Sequence, residues 1–128
     1  MDEILKLLSE LKKKIEKIEK SFTVFVQGWT AVTFQNSWVN YDGTFNQCGY
    51  LRDPHGFVHL RGLVKSGTIG TTIFTLPAGY RPEYQQLFNV QSNSALGRCD
   101  VKTNGEVTAN AGNNAWFSLD GLIFKAYQ

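Results

Sequence analysis

Cysteine is nearly missing from this chain. Its two residues, Cys48 and Cys99, allow one disulfide at most and stand in no metal-ligand spacing, so buried free thiols are the expected state. No apolar run approaches about eighteen residues, which excludes a membrane-spanning helix and membrane insertion. The N-terminus contains acids and lacks an apolar h-region, so no secretory signal is expected. An excess of one charge is also absent. The first 20 residues carry six Lys and five acids, and the remainder carries seven Lys and Arg against six acids. Without a basic stripe, phosphate-driven binding of nucleic acid is not expected. Gly and Pro do not occur before Gly28, so nothing in that stretch interrupts a helix.

Catalytic signatures are equally scarce. No GxSxG, Walker loop or dinucleotide fingerprint occurs. Of the six acids after residue 20, namely Asp42, Asp53, Glu83, Asp100, Glu106 and Asp120, five lie in or beside turn signals, where Asp is expected for its bending and capping chemistry. Nothing marks two of them as a pair facing across a cleft, as glycoside hydrolysis requires. His55 falls in a turn and His59 on a strand, without metal-like spacing. The expectation is a protein that is not an enzyme, with no catalytic residue, no metal and no cofactor.

What is present begins with a seam. Ile4, Leu8, Leu11, Ile15, Ile18 and Phe22 recur at spacings of 4, 3, 4, 3 and 4, a heptad pattern with Leu8 and Ile15 at a, and Ile4, Leu11 and Ile18 at d. A strip this narrow needs other helices, and copies of the same chain are the nearest supply. Ile at a and d disfavours a parallel dimer. Leu5 and Leu7, at e and g, widen the apolar face. A trimer is the first expectation, a tetramer the second and a dimer the third. The alternative is an amphipathic helix packed on its own domain.

Composition changes after Ser21. All twelve Gly, all three Trp and all nine Phe lie beyond it, amid Val, Thr, Tyr and Asn with regular Gly punctuation, the pattern of an all-β sandwich or barrel. The chain divides into a coiled-coil stem, 1–21, and a β head, 22–128, of eight to ten strands. FTVFVQ reads as the first strand and WTAVTF as the second. Asp53-Pro54-His55-Gly56 fits a β-turn with Pro second and Gly fourth. In FVHLRGLVK, Val58, Leu60 and Val64 share one face and Phe57, His59, Arg61 and Leu63 the other. Gly62 marks a close approach. Asn104-Gly105 predicts a type I′ hairpin.

Aromatic rings beside amides suit sugars, which offer C–H faces and hydroxyls together. Trp38 and Tyr41 lie near Asn36 and Asn40, and Trp116 follows Asn113 and Asn114. Trp38, Tyr41, Asn113, Asn114 and Trp116 are the candidate ligand-binding residues. The structural alternative is that the tryptophans are core and the asparagines turn formers.

Four segments carry a resemblance. YLRDPHGFVHLRGLVKSGT, TIFTLPAGYRP, NGEVTA and WFSLDGLIFKA resemble, in that order, a domain recurrent at the C-terminus of bacteriophage tail fibres, over roughly residues 38–127. HGFVHLRGLVKSGT and LPAGYRP are its most specific parts. The coil leading into a β head is also similar to the plan of trimeric phage receptor-binding proteins. The resemblance implies a homotrimeric fibre tip with a β-sandwich or jelly-roll-like head, located in the virion after assembly in the host cytoplasm. Its implied partners are two further copies of itself, other phage tail proteins and a bacterial surface glycan. It transfers no ligand residues. Two alternatives remain beside it: a purely structural trimerisation cap, and a fragment of a polysaccharide depolymerase.

Overall fold

The computed structural model describes the backbone of residues 2–26 and 28–127, and the side chains of 2–19 and 28–127. Helix α1 runs from Asp2 to Val26, with Asp2 and Glu3 in its first turn, at the positive end of the helix dipole. Its 25 residues make it about 37 Å long. The strand expected over FTVFVQ is therefore a correction: the described part of it, Phe22 to Val26, is helical. Strand propensity is small and depends on neighbours. Each residue added to an existing helix gains a hydrogen bond, and no breaker intervenes before Gly28, whose φ is +89°. The seam stays uncovered by the chain's own β head, with Ile4, Leu8, Leu11, Ile15 and Ile18 between 46% and 67% exposed. Phe22, the last seam position, has its side chain outside the described residues.

Eleven strands occur among the described residues: β1 (Thr30–Ala31), β2 (Val39–Asn40), β3 (Gly49–Arg52), β4 (Phe57–Arg61), β5 (Leu63–Lys65), β6 (Thr72–Thr75), β7 (Gln86–Ser92), β8 (Ala95–Val101), β9 (Glu106–Ala111), β10 (Phe117–Ser118) and β11 (Leu122–Lys125). They form two sheets, of order β1-β3-β4-β11 and β2-β5-β10-β7-β8-β9-β6, with every pairing antiparallel. The division of four strands against seven differs from the two balanced sheets of an eight-stranded jelly roll. Val58, Leu60, Leu122 and Phe124 of the first sheet share one core with Val64, Phe74, Val90, Val101, Val107 and Phe117 of the second. Cys48 and Cys99 are free thiols inside it. Burial raises both, Cys48 to about 12, so neither is a nucleophile at neutral pH.

The chain passes between sheets at two adjacent points. β4 belongs to the first sheet and β5 to the second, and only Gly62 separates them. This is why Leu63 and Val64 are both buried, against the simple alternation expected across the run. β10 and β11 make the reverse crossing through Leu119-Asp120-Gly121. The crossings are tied together: Gly62 N donates to Asp120 Oδ1 at 2.8 Å, and Leu119 N donates to Gly62 O at 2.8 Å.

Turn chemistry divides into confirmed and corrected expectations. In the Asp53–Gly56 turn, Gly56 N donates to Asp53 O at 3.0 Å, as Pro second and Gly fourth require. The Asn104-Gly105 hairpin joins β8 and β9 but is not type I′, because Gly105 alone in that loop has a positive φ. Gly105 N donates to Lys102 O, and Lys102 N to Glu106 O, which makes a three-residue loop ending in a left-handed glycine. The paired positive φ values of type I′ occur instead at Asn93 and Ser94, between β7 and β8, and at Asn36 and Ser37.

Asp53 does more than bend the chain. Its Oδ1 accepts from His55 N at 2.9 Å and Phe57 N at 3.0 Å, and its Oδ2 lies 3.0 Å from His59 Nε2. Burial pushes this carboxyl up, but the bonds from His59, Phe57 and His55 outweigh it and hold the group below its ordinary value. A depressed folded pKa contributes stability that is full above the unfolded value of about 3.9 and is lost as pH falls through the folded one. Asp53→Asn is therefore expected to flatten the acid limb of stability below about pH 4. Urea unfolding of both proteins at successively lower pH checks this, and an unchanged acid limb would refute it.

Candidate functional site

An open cleft of about 310 Å³ lies beside the crossing at Asp120. Its floor comes from Leu63 and Ser118, cross-strand partners on β5 and β10. Its walls are Tyr41, Phe45, Gln91 and Trp116. Tyr41 is seated by its own N–H, which donates to Leu63 O at 2.8 Å. Phe45 projects from a loop that Asp42 shapes, since its Oδ1 accepts from Thr44 Oγ1 at 2.6 Å and Thr44 N at 2.8 Å. Those bonds, the hydroxyl first, draw the exposed Asp42 carboxyl below its usual range. The Tyr41 and Phe45 rings meet edge to face with centroids 5.5 Å apart, and Lys65 Nζ lies 5.3 Å from the Tyr41 ring. Phe45 is 50% exposed.

The expected ligand residues separate here. Tyr41 and Trp116 line the cleft together. Trp38 does not: it is 1% exposed, its Nε1 donates to Thr71 Oγ1 at 3.1 Å, and its ring lies flat against Gly67, where a Cβ would fall 2.1 Å from it. Trp38 is thus a core residue with no face to offer a ligand, a correction to its place among the candidates. Asn113 and Asn114 support rather than line the cleft. Asn113 Oδ1 accepts from Ala115 N at 2.7 Å, and Asn114 Nδ2 donates to Gly67 O at 2.9 Å. The buried Ser92 hydroxyl accepts from Asn113 N at 2.7 Å and reaches the carbonyls of Asn113 and Trp116, which fixes the loop that presents Trp116.

Sequence reasoning missed Phe45, Gln91 and Asp120. Gln91 carried a usable signal, because alternation along β7 turns Leu87, Asn89 and Gln91 outward while Val90 and Ser92 are buried. Asp120 read only as a turn former beside Gly121. Its Oδ1 accepts from Gly62 N and from Asn46 Nδ2 at 3.1 Å, while nothing among the described residues donates to its Oδ2. A second open groove lies between Tyr84 and Tyr127, lined also by Glu83, Gln86 and Lys125. There Gln86 Nε2 donates to Tyr84 O, and Lys125 donates to His55 O and stands over Phe57. Among the described residues no three His, Cys, Asp or Glu gather as metal ligands.

The architecture is that of a mainly β protein, two antiparallel sheets on one core entered through a long N-terminal helix. Among solved structures it is similar to the receptor binding protein (gp15) of Listeria phage PSA, with a TM-score of 0.59 over 92% of this chain and 79% of that one. Identity is 17%, so the likeness is one of fold. No protein-family model and no curated protein matches the sequence.

Proposed function

We propose that this chain is the receptor-binding head of a phage tail appendage, trimeric through the α1 seam, which attaches the virion to a host surface polysaccharide at the Tyr41–Trp116 cleft. The observation that carries the reading is the pairing of that cleft with a fold similar to a phage receptor-binding protein. The uncovered seam supports the oligomer, because five apolar side chains repeating at heptad spacing have no partner in a single chain. The cleft supports saccharide, since rings give sugar C–H faces a surface while Gln91, Ser118 and Asp120 offer partners to hydroxyls. No chemical step is required of it. Three shallow sites on one head gain from intramolecular second and third engagements.

Trp116→Ala is expected to weaken each site by about 2 kcal/mol, roughly thirtyfold, while the head stays folded. Trp38→Ala is expected to cost about 3–5 kcal/mol of stability instead. Binding of the purified protein to susceptible cells, with thermal melts of both variants, checks the pair. Full cell binding by a folded Trp116→Ala protein would overturn the cleft as the attachment site. In the rival reading the head only trimerises and caps an appendage. It is favoured if the wild-type protein assembles yet binds no susceptible cell.

A further inference from the structure

We propose that the cleft is selective for a cationic saccharide, one whose repeat carries a free ammonium group, which rests among Tyr41, Phe45 and Trp116 with Asp120 as its counter-charge. This inference rests on the reading of the cleft as a saccharide site and names the class of saccharide.

Three observations carry it. First, three different aromatic rings line one cleft, two of them packed edge to face at 5.5 Å. Ring faces attract ammonium groups through their quadrupoles, and several rings around one site is the arrangement that holds such cations. Second, the charged side chain that lines the cleft is a carboxylate. Asp120 spends Oδ1 on Gly62 N and Asn46, and Oδ2 has no donor among the described residues. A fixed carboxylate with one oxygen engaged structurally and the other open favours a positively charged group and repels an anion. Third, the protein's own Lys65 ammonium already engages one of these rings. Lys65 stands over Tyr41 and acts electrostatically on Asp42. Among the described residues no cation stands over the Phe45 or Trp116 ring, so those two faces are the ones an incoming ammonium meets.

Two pairs of probes test the proposal by calorimetry on the intact protein. One pair is the β-1,4-linked glucosamine tetramer and its fully N-acetylated counterpart, and the other is choline and its uncharged isostere 3,3-dimethylbutan-1-ol. The charged member of each pair is expected to bind about tenfold more tightly. Asp120→Asn keeps an oxygen for Gly62 N–H and removes the charge, so it is expected to erase the preference. Phe45→Ala, at an exposed ring, is expected to weaken the charged probes without unfolding the head. Equal or tighter binding of the neutral probes, or a preference unchanged in a folded Asp120→Asn protein, overturns the proposal. The saccharide reading then still stands if the acetylated tetramer binds. Selective choline binding with no binding of either tetramer supports the cation site and removes the saccharide.

Discussion

Gly62→Ala is expected to lower the stability of the head by about 3–5 kcal/mol, summing backbone strain and overpacking. A Cβ built at Gly62 falls 2.5 Å from Cys48 Cα and 2.9 Å from Cys48 N, atoms of a backbone that cannot step aside. Cys48 N is itself held, donating to Asn40 Oδ1 at 2.7 Å. The φ of Gly62 is +127°, outside the range that an alanine adopts without strain. The position also lies at the crossing between sheets, where its N–H and C=O are both bonded, to Asp120 and Leu119. Any shift that relieved the clash would therefore break the tie between the crossings. Thermal unfolding should show a midpoint lower by at least about 12 °C. Gly43→Ala is the control, with open space around it, and should stay within about 0.5 kcal/mol of the parent. A Gly62→Ala protein that melts with the parent would show that the crossing is not rigid.

Leu11→Asp is expected to convert a trimer into monomers at micromolar concentration. Leu11 is the central d position of the seam, and burying each seam side chain is worth about 1.5–3 kcal/mol before the ordering cost of association. A carboxylate at that layer would face two copies of itself in a parallel trimer, so the loss of burial is compounded by like-charge repulsion. The β head should keep its fold, because the described seam side chains, from Ile4 to Ile18, make no part of its core. Sedimentation equilibrium reads the mass directly. Adsorption to cells should fall about a hundredfold or more with the loss of multivalency. A parent protein that sediments as a monomer at micromolar concentration would remove the trimer from the proposed function.

Local features were legible from sequence where neighbours along the chain decide them. The helix follows from the spacing of Ile4, Leu8, Leu11, Ile15 and Ile18 and from the absence of breakers. The inward placing of Val58 and Leu60 follows from alternation, and the Asp53–Gly56 turn from Pro54 and Gly56. The close approach at Gly62 was legible too, although not its partner, since Cys48 lies fourteen residues earlier, in the bend that precedes β3. What stayed hidden depends on residues far apart in sequence. Trp38 and Trp116 both stand beside asparagines, and the polar loop over 112–114 only tilts the choice toward Trp116. Gly67 and Thr71 make the first a core residue, whereas Gln91 and Asp120 make the second a cleft wall. The change of sheet at Gly62 was equally invisible, because an extended chain reads as one strand whichever sheet it joins. At Asn93-Ser94 and Asn36-Ser37 a bend was legible but its type was hidden for a chemical reason: a serine takes the left-handed position where glycine is the usual signal.

The shortness of β1 bears on how the head carries a mechanical load. Tension on α1 enters the head through Thr30 and Ala31, an edge strand with two paired residues, aligned with Tyr50 and Gly49. An edge strand pulled from its end opens its few bonds in sequence, so β1 yields early under force. Beyond it the load meets firmer anchors. Val32 and Phe34 pack against the core, Gln35 N donates to Ile73 O, and Asn36 Nδ2 donates to Thr72 O. These last two bonds reach β6, in the other sheet. The entry segment thus works as a short compliant joint backed by an anchor that spreads a pull across both layers.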